Sequence, residues 1–290
     1  MTSPSPTRRD SLMPHRRLGD DQMPALGLGT WRLAGDAGSA IVEEALFQGY
    51  RHLDTAQMYD NEAAVGTGLA SSGVARQEIF LTTKIDDQHH RAADLDRSLD
   101  ESLKRLRTDH VDLLLIHWPV EWPIMAETLA ALAAARADGR ARHVGVSNFE
   151  PDQIEFALGH APIEVNQVEY HPLLGQPELL TQADELDLQV TAYCPIARNE
   201  VAGDPACRAV AERHGVTPAQ IALAWLLAQP RVSAIPQTSR PERLAENLAA
   251  ASIELSSDDI SLLDAAPKDQ RLVSPTKSPW RPDSTSRLAD

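Results

Sequence analysis

The chain has 290 residues, with 42 acidic side chains against 27 basic ones for a formal net charge of −15, and 42% of it is hydrophobic. So acidic a chain is repelled by nucleic-acid backbones and anionic membranes, and neither is expected as a main partner; a small anion held by a local basic group is not excluded. Cys194 and Cys207 form neither a disulfide framework nor a zinc pattern and fit a reducing compartment.

Residues 1–14, rich in Ser, Pro and Arg, contain no apolar core of signal-peptide length and read as a disordered extension. Residues 15–290 read as one domain. No run is long and apolar enough to span a bilayer, so a soluble, cytoplasmic protein is expected, and without an obvious long apolar surface stripe a monomer is the default. His15 to Leu18 and Met23 to Leu28 flank the turn-rich Gly19-Asp20-Asp21, the pattern of a hairpin. A first strand over Ala25 to Gly29 ends in Thr30-Trp31. Ser39 to Gln48 is a helix stopped by Gly49. His52 to Asp54 is a strand and Glu62 to Ser71 a helix. Ile79 to Thr83 is a strand ending at Lys84, followed by an amphipathic helix over Ala92 to Leu106. Val111 to Ile116 is almost continuously apolar, as a strand buried on both faces requires, and ends at His117-Trp118-Pro119. Helices over Ala126 to Ala137, Pro151 to Leu158 and Pro177 to Leu186 then alternate with strands over His143 to Val146, Glu164 to Val168 and Gln189 to Tyr193. Helices over Asp204 to His214 and Pro218 to Gln229 precede a strand over Val232 to Ile235. Helices over Pro241 to Ala250 and near Leu262 to Ala266 complete the chain.

Eight short apolar strands, each followed by a helix, predict an α/β fold with a parallel sheet: a (β/α)8 TIM barrel with an N-terminal β-hairpin. A doubly wound sheet would carry a glycine fingerprint after its first strand. Gly27-Leu28-Gly29 lacks the third glycine, and Gly66-Thr67-Gly68 lies inside a helical pattern.

In such a barrel Asp54, Lys84 and His117 all fall at C-terminal strand ends, with Tyr59 in a loop beyond one, and that end is where active sites form. Taken singly, Asp54 reads as a buried helix cap and Tyr59 as loop filling; together the four make a proton-donating set. An ammonium at Lys84, kept charged by Asp54, favours the Tyr59 phenolate and lowers its pKa. Tyr59 then protonates an oxygen as charge develops on it, and His117 donates a second hydrogen bond. This suits carbonyl reduction with hydride from a nicotinamide cofactor.

The segments Gly27-Leu28-Gly29-Thr30-Trp31, Tyr50 to Glu62, Thr83-Lys84, Leu115 to Pro119, Gly145 to Phe149, Asn166 to Pro172 and Ile235 to Asn247 resemble the aldo-keto reductase family from about Leu18 to the C-terminus. The resemblance places the family's catalytic tetrad on Asp54, Tyr59, Lys84 and His117 without substitution. It implies an NADPH-dependent carbonyl reductase, with NADH as the other possible cofactor. The carboxamide contacts fall on Ser147, Asn148 and Gln167, and the stacking aromatic on Tyr193. Further cofactor positions are Gly29, Thr30, Asp54, Cys194 and Ile196, with an adenosine-phosphate segment at Gln237, Thr238, Arg243, Glu246 and Asn247. Gln237 stands where many relatives have lysine, but Arg243 and the nearby Arg240 remain to grip a 2′-phosphate. Cys194 replaces a serine. Within the family the tail Asp269 to Pro275 with Trp280 is similar to that of bacterial 2,5-diketo-D-gluconic acid reductases of the B type, which implies small polar dicarbonyls such as 2,5-diketo-D-gluconate or methylglyoxal as substrates.

Loop position makes Trp31 and Trp118 walls of the substrate site beside Tyr59 and His117, with Trp122 and Trp280 as further candidates. The proline-rich tail reads as an irregular flap. His89-His90 reads as a solvated loop and His171 as structural, and no metal is expected. A cofactor-binding sensor on the same fold would have less need of all four tetrad groups, and a barrel isomerase would turn over without a change in nicotinamide absorbance.

Overall fold

Alternation at the N-terminus, with Arg16 and Leu18 buried and His15 and Arg17 exposed, makes β1 (His15–Leu18) a strand with one inward face. It pairs antiparallel with β2 (Asp21–Pro24) across the turn at Gly19–Asp20. The computed structural model describes residues 13–280. Of the expected N-terminal extension, only Met13 and Pro14 fall among the described residues. Met13 packs against the core, and the Pro14 carbonyl accepts a 2.8 Å bond from Ala25 N.

The eight barrel strands are β3 (Leu28–Gly29), β4 (His52–Asp54), β5 (Phe80–Ile85), β6 (Val111–Ile116), β7 (Ala141–Ser147), β8 (Ile163–Glu169), β9 (Gln189–Tyr193) and β10 (Val232–Ala234). Each pairs in parallel with its sequence neighbour. A bridge between Leu26 and Ala234 joins the first strand segment to the last and closes the cylinder. The seam is tight: a Cβ on Gly29 would lie 2.6 Å from the Ile235 carbonyl, so only glycine fits.

Apolar residues on both faces explain why β6 is buried throughout, while β5 is buried with Thr83 and Lys84 hydrogen-bonded to Glu62 and Asp54. Inward-facing Leu113, Leu115, Val165 and Phe80 form a small cluster with Leu18 and Met23 of the hairpin, which plugs the N-terminal end. Arg16 completes the plug, donating to the carbonyls of Val232 (2.6 Å) and Leu227 (2.7 Å). The other end stays free for function.

Helices α1 (Gly35–Gln48), α2 (Glu62–Ser71), α3 (Ala92–Leu106), α4 (Met125–Ala137), α5 (Pro151–Leu158), α6 (Pro177–Leu186), α7 (Pro205–His214), α8 (Pro218–Leu227), α9 (Pro241–Ala249) and α10 (Ser257–Asp264) surround the strands. On α3 the buried stripe is Leu95, Ser98, Leu99, Ser102, Leu103 and Leu106, the amphipathic spacing of its leucines. Two helix starts differ from expectation by more than one residue. α1 starts four residues before Ser39, and α10 starts before Leu262 because Ser256 and Asp259 form a reciprocal capping box. Among the described residues no helix is long and apolar enough to cross a membrane.

Candidate active site

Register sets the site's first layer: Gly29 lies beside Asp54, and Asp54 beside Thr82. Lys84, fully buried, donates to Asp54 Oδ1 at 2.5 Å, to the Thr55 carbonyl at 2.9 Å and to the Tyr59 hydroxyl at 3.4 Å. The second Asp54 oxygen accepts from Gln167 Nε2 at 2.7 Å. Burial opposes the Lys84 charge, but Asp54 and Tyr59 outweigh it and hold the pKa above the ordinary lysine value.

Tyr59 ends a short turn, Gln57–Tyr59, after which Asp60 takes a left-handed conformation (φ 52°). Burial raises the phenol's pKa; Lys84 pulls it down, as expected from sequence, but the desolvation is larger, so the net shift is upward. The phenol therefore keeps its proton through the neutral range, the state from which it can donate. His117 follows β6 and meets Tyr59 edge to face, ring centroids 5.6 Å apart. Burial first, then Lys84 and Lys277, push its pKa well below the usual value, so it is a neutral imidazole.

Asn61, only 2% exposed, secures the surrounding loops. Its amide donates to the carbonyls of Thr30 (2.6 Å) and Leu33 (2.9 Å), and its oxygen accepts from Thr55 Oγ1 at 2.8 Å. Glu62 accepts from Thr83, the neighbour of Lys84, at 2.5 Å and from Arg105 of α3 at 2.8 Å. In the sequence Asp60-Asn61-Glu62 has the form of a helix start, which shows no part in the site for Asn61 or Glu62.

The candidate cofactor residues gather beside this chain. Ser147 Oγ donates to the Gln167 carbonyl (2.9 Å), Asn148 Nδ2 to the His117 carbonyl (3.1 Å), and the Tyr193 hydroxyl to Asn148 Oδ1 (2.8 Å). These bonds hold Asn148 in a left-handed conformation (φ 66°). Thr30 Oγ1 donates to the Asp54 carbonyl at 2.9 Å. Cys194 is a free, partly buried thiol with positive φ, and Ile196 is half-buried just beyond it. Across the seam, Gln237 is exposed and Thr238 half-buried, with Thr238 Oγ1 accepting from Arg240 N at 3.1 Å. No side chain caps the N-terminus of α9, where Pro241 has no N–H and Arg243 N donates to the Arg240 carbonyl at 3.0 Å. Arg243 pairs with Glu246 at 2.5 Å, both about two-fifths exposed, while Asn247 is buried against Tyr50.

Of the indoles, Trp118 stacks near His117 (6.4 Å) and meets Trp280 at 5.8 Å, which brings the tail to the site. Trp31 stands at the rim, 44% exposed, with Arg32 4.1 Å from its ring. Trp122 does not face the site: it packs against Phe149 and Phe156, where α5 meets the barrel. The reading of His89-His90 as solvated is also corrected. His90 is 1% exposed, because the loop folds inward beneath Val120, and burial lowers its pKa to about 4. His171 is structural as expected, its Nε2 3.0 Å from Glu169. A 570 Å³ cavity lined by Tyr170, Trp225 and Lys268 shares no residue with the tetrad. Among the described residues no cluster of His, Cys, Asp or Glu is arranged to hold a metal.

Residues 25–268 match the model described as the aldo/keto reductase family. Methylglyoxal reductase DkgB of Salmonella typhi is 42% identical over 258 residues, covering 87% of this chain and 96% of that protein. A crystal structure presented as a candidate 2,5-diketo-D-gluconic acid reductase B is also 42% identical, with a TM-score of 0.88 over 91% of this chain and 95% of that one. A variant of Gox0644 crystallised with NADPH is 34% identical, with a TM-score of 0.85 over 90% of this chain and 97% of that chain.

Proposed function

Because this chain belongs to the aldo/keto reductase family, whose members are oxidoreductases acting on carbonyls, we propose that it is an NADPH-dependent reductase of small polar dicarbonyls with Tyr59 as general acid. The observation that carries this reading is the buried chain Gln167–Asp54–Lys84–Tyr59 with a neutral His117 against the phenol. When bound, the reduced nicotinamide supplies a hydride to the carbonyl carbon. Tyr59 gives its proton to the carbonyl oxygen as negative charge develops there. The phenolate left behind faces Lys84, whose charge Asp54 maintains. His117, neutral and therefore both donor and acceptor, orients the carbonyl oxygen with its N–H.

The residues present fit the cofactor. Ser147, Asn148 and Gln167 offer amide and hydroxyl groups for the carboxamide, and Tyr193 a ring for stacking. At the start of α9 the guanidinium groups of Arg240 and Arg243 suit a phosphate. Arg240 has no ionic partner among the described residues, and the Arg243–Glu246 pair is exposed enough to be exchanged at little cost. These two arginines favour the 2′-phosphate despite Gln237.

The test is oxidation of NADPH and, separately, NADH, followed by nicotinamide absorbance with methylglyoxal and with 2,5-diketo-D-gluconate. The wild type should turn over with NADPH. Tyr59→Phe should lose about a hundredfold or more in kcat while still binding NADPH. Tight binding without turnover of any carbonyl would overturn the reductase reading in favour of a sensor.

A further inference from the structure

Glu169 is a fully buried carboxylate that the proposed chemistry leaves unused. It ends β8 two residues beyond Gln167, so the two side chains share one face of the strand. One of its oxygens accepts from Leu272 N at 2.7 Å and lies 3.0 Å from His171 Nε2; the other accepts from Val273 N at 2.9 Å. Arg271 stands 3.9 Å away. A buried charge needs such partners. Two of these are backbone amides of the C-terminal tail, more than a hundred positions along the chain.

The rest of the tail is held at its root and near its far end. At the root, Gln270 N donates to the Leu173 carbonyl (2.9 Å) and Gly175 N to the Lys268 carbonyl (3.1 Å). Past Val273 the chain turns, with Ser278 N and Oγ both donating to the Pro275 carbonyl. Lys277 then pairs with Asp87 in the loop after β5, 5.4 Å above the Trp118 ring. Trp280 lies against Trp118, with Arg271 4.0 Å above it. The tail thus bridges β8 and the β5 loop beside His117.

We propose that Glu169 is a positioning residue for the reduction: through the amides of Leu272 and Val273 it fixes the C-terminal tail so that Trp280 is held against Trp118 as a wall of the substrate site. This rests on the reading that the space beside Tyr59 and Trp118 receives the carbonyl. Glu169 touches no reacting atom. Its effect is on how much of the time the wall is in place, and so on substrate affinity more than on the chemical step.

The experiment is hydrogen–deuterium exchange and steady-state kinetics on full-length Glu169→Gln. Whichever way the new amide lies, its NH2 faces a backbone N–H of Leu272 or Val273. Exchange over residues 272–280 should rise about tenfold or more. KM for methylglyoxal should rise about tenfold, with kcat within about threefold of wild type and NADPH affinity unchanged. Val273→Pro removes one donor from the tail's side without touching the barrel. It must give the same split, and it decides the matter if Glu169→Gln does not fold. Unchanged tail exchange would overturn the anchor. Raised exchange with unchanged KM, or a fall in kcat alone, would overturn the role in substrate binding. If the wild type reduces no carbonyl, the reductase reading falls and takes the substrate role with it, while exchange still decides the anchor.

Discussion

Replacing Asp54 with asparagine removes the charge that both Lys84 and the site depend on. Asp54 and Lys84 are 1% and 0% exposed, and the carboxylate's oxygens face Lys84 Nζ at 2.5 Å and Gln167 Nε2 at 2.7 Å. Both partners are donors, so an asparagine NH2 opposes one of them in either orientation. Removing one member of a buried ion pair costs about 3–5 kcal/mol. At roughly 2–4 °C per kcal/mol for a domain of this size, Tm should fall by about 6–20 °C. In the wild type the raised Lys84 pKa contributes stability that is complete below about 10.4 and lost only as pH rises through its folded value. In the variant, burial is no longer outweighed and the pKa falls, so the variant's deficit is largest at low pH, where Lys84 must stay charged without its partner. kcat should drop by about a hundred- to a thousandfold as the phenolate loses its cation, and should recover in part as pH is lowered and Lys84 regains its proton. Thermal melts and kcat across pH measure both. A variant within about threefold of wild-type kcat and about 2 °C of its Tm would refute the reasoning.

Arg243→Ala should raise KM for NADPH about tenfold and leave NADH nearly unaffected, since only the former offers a 2′-phosphate; equal effects on both would remove Arg243 from phosphate recognition. His143, buried between Glu164 and Asp21 at 2.9 Å each, has a raised pKa: burial opposes its charge, but the two carboxylates prevail. Its contribution to stability is complete below about 6.5 and lost as pH rises through the folded value. The Tm difference between wild type and His143→Gln should therefore shrink as pH is raised above neutrality, and a difference that grew would contradict the assignment.

The meeting of Asp54, Tyr59, Lys84 and His117 was legible because apolar runs end at Asp54, next to Lys84 and before His117, and strand ends in a parallel barrel converge. What escaped was partnership between polar residues distant in sequence. Asn61 and Glu62 look like an ordinary helix start, and nothing in linear order shows that Asn61 binds the Thr30 and Leu33 carbonyls. Glu169 belongs to a segment that carries the family resemblance, yet its partners lie in a tail whose path no periodicity describes. Trp122 and His90 were misplaced because loop residues near a strand end can turn toward a helix or inward instead of toward the site. The early start of α10 was written in Ser256 and Asp259, a capping signal that the weak apolar pattern of that helix obscured.

The seam between β3 and β10 also constrains the order in which the molecule can be made. Arg16 donates to a carbonyl 216 positions further along the chain, and Ala234 pairs with Leu26. Neither contact can form until residues 232 to 234 have left the ribosome. Until then β3 has no β10 to pair with, and an unpaired strand edge is one that other chains can join. β10 fills that gap, and the segment running on from it into α9 carries Gln237, Thr238, Arg240 and Arg243. The elements synthesised first are thus completed last, and the stretch that completes them also finishes the proposed phosphate site.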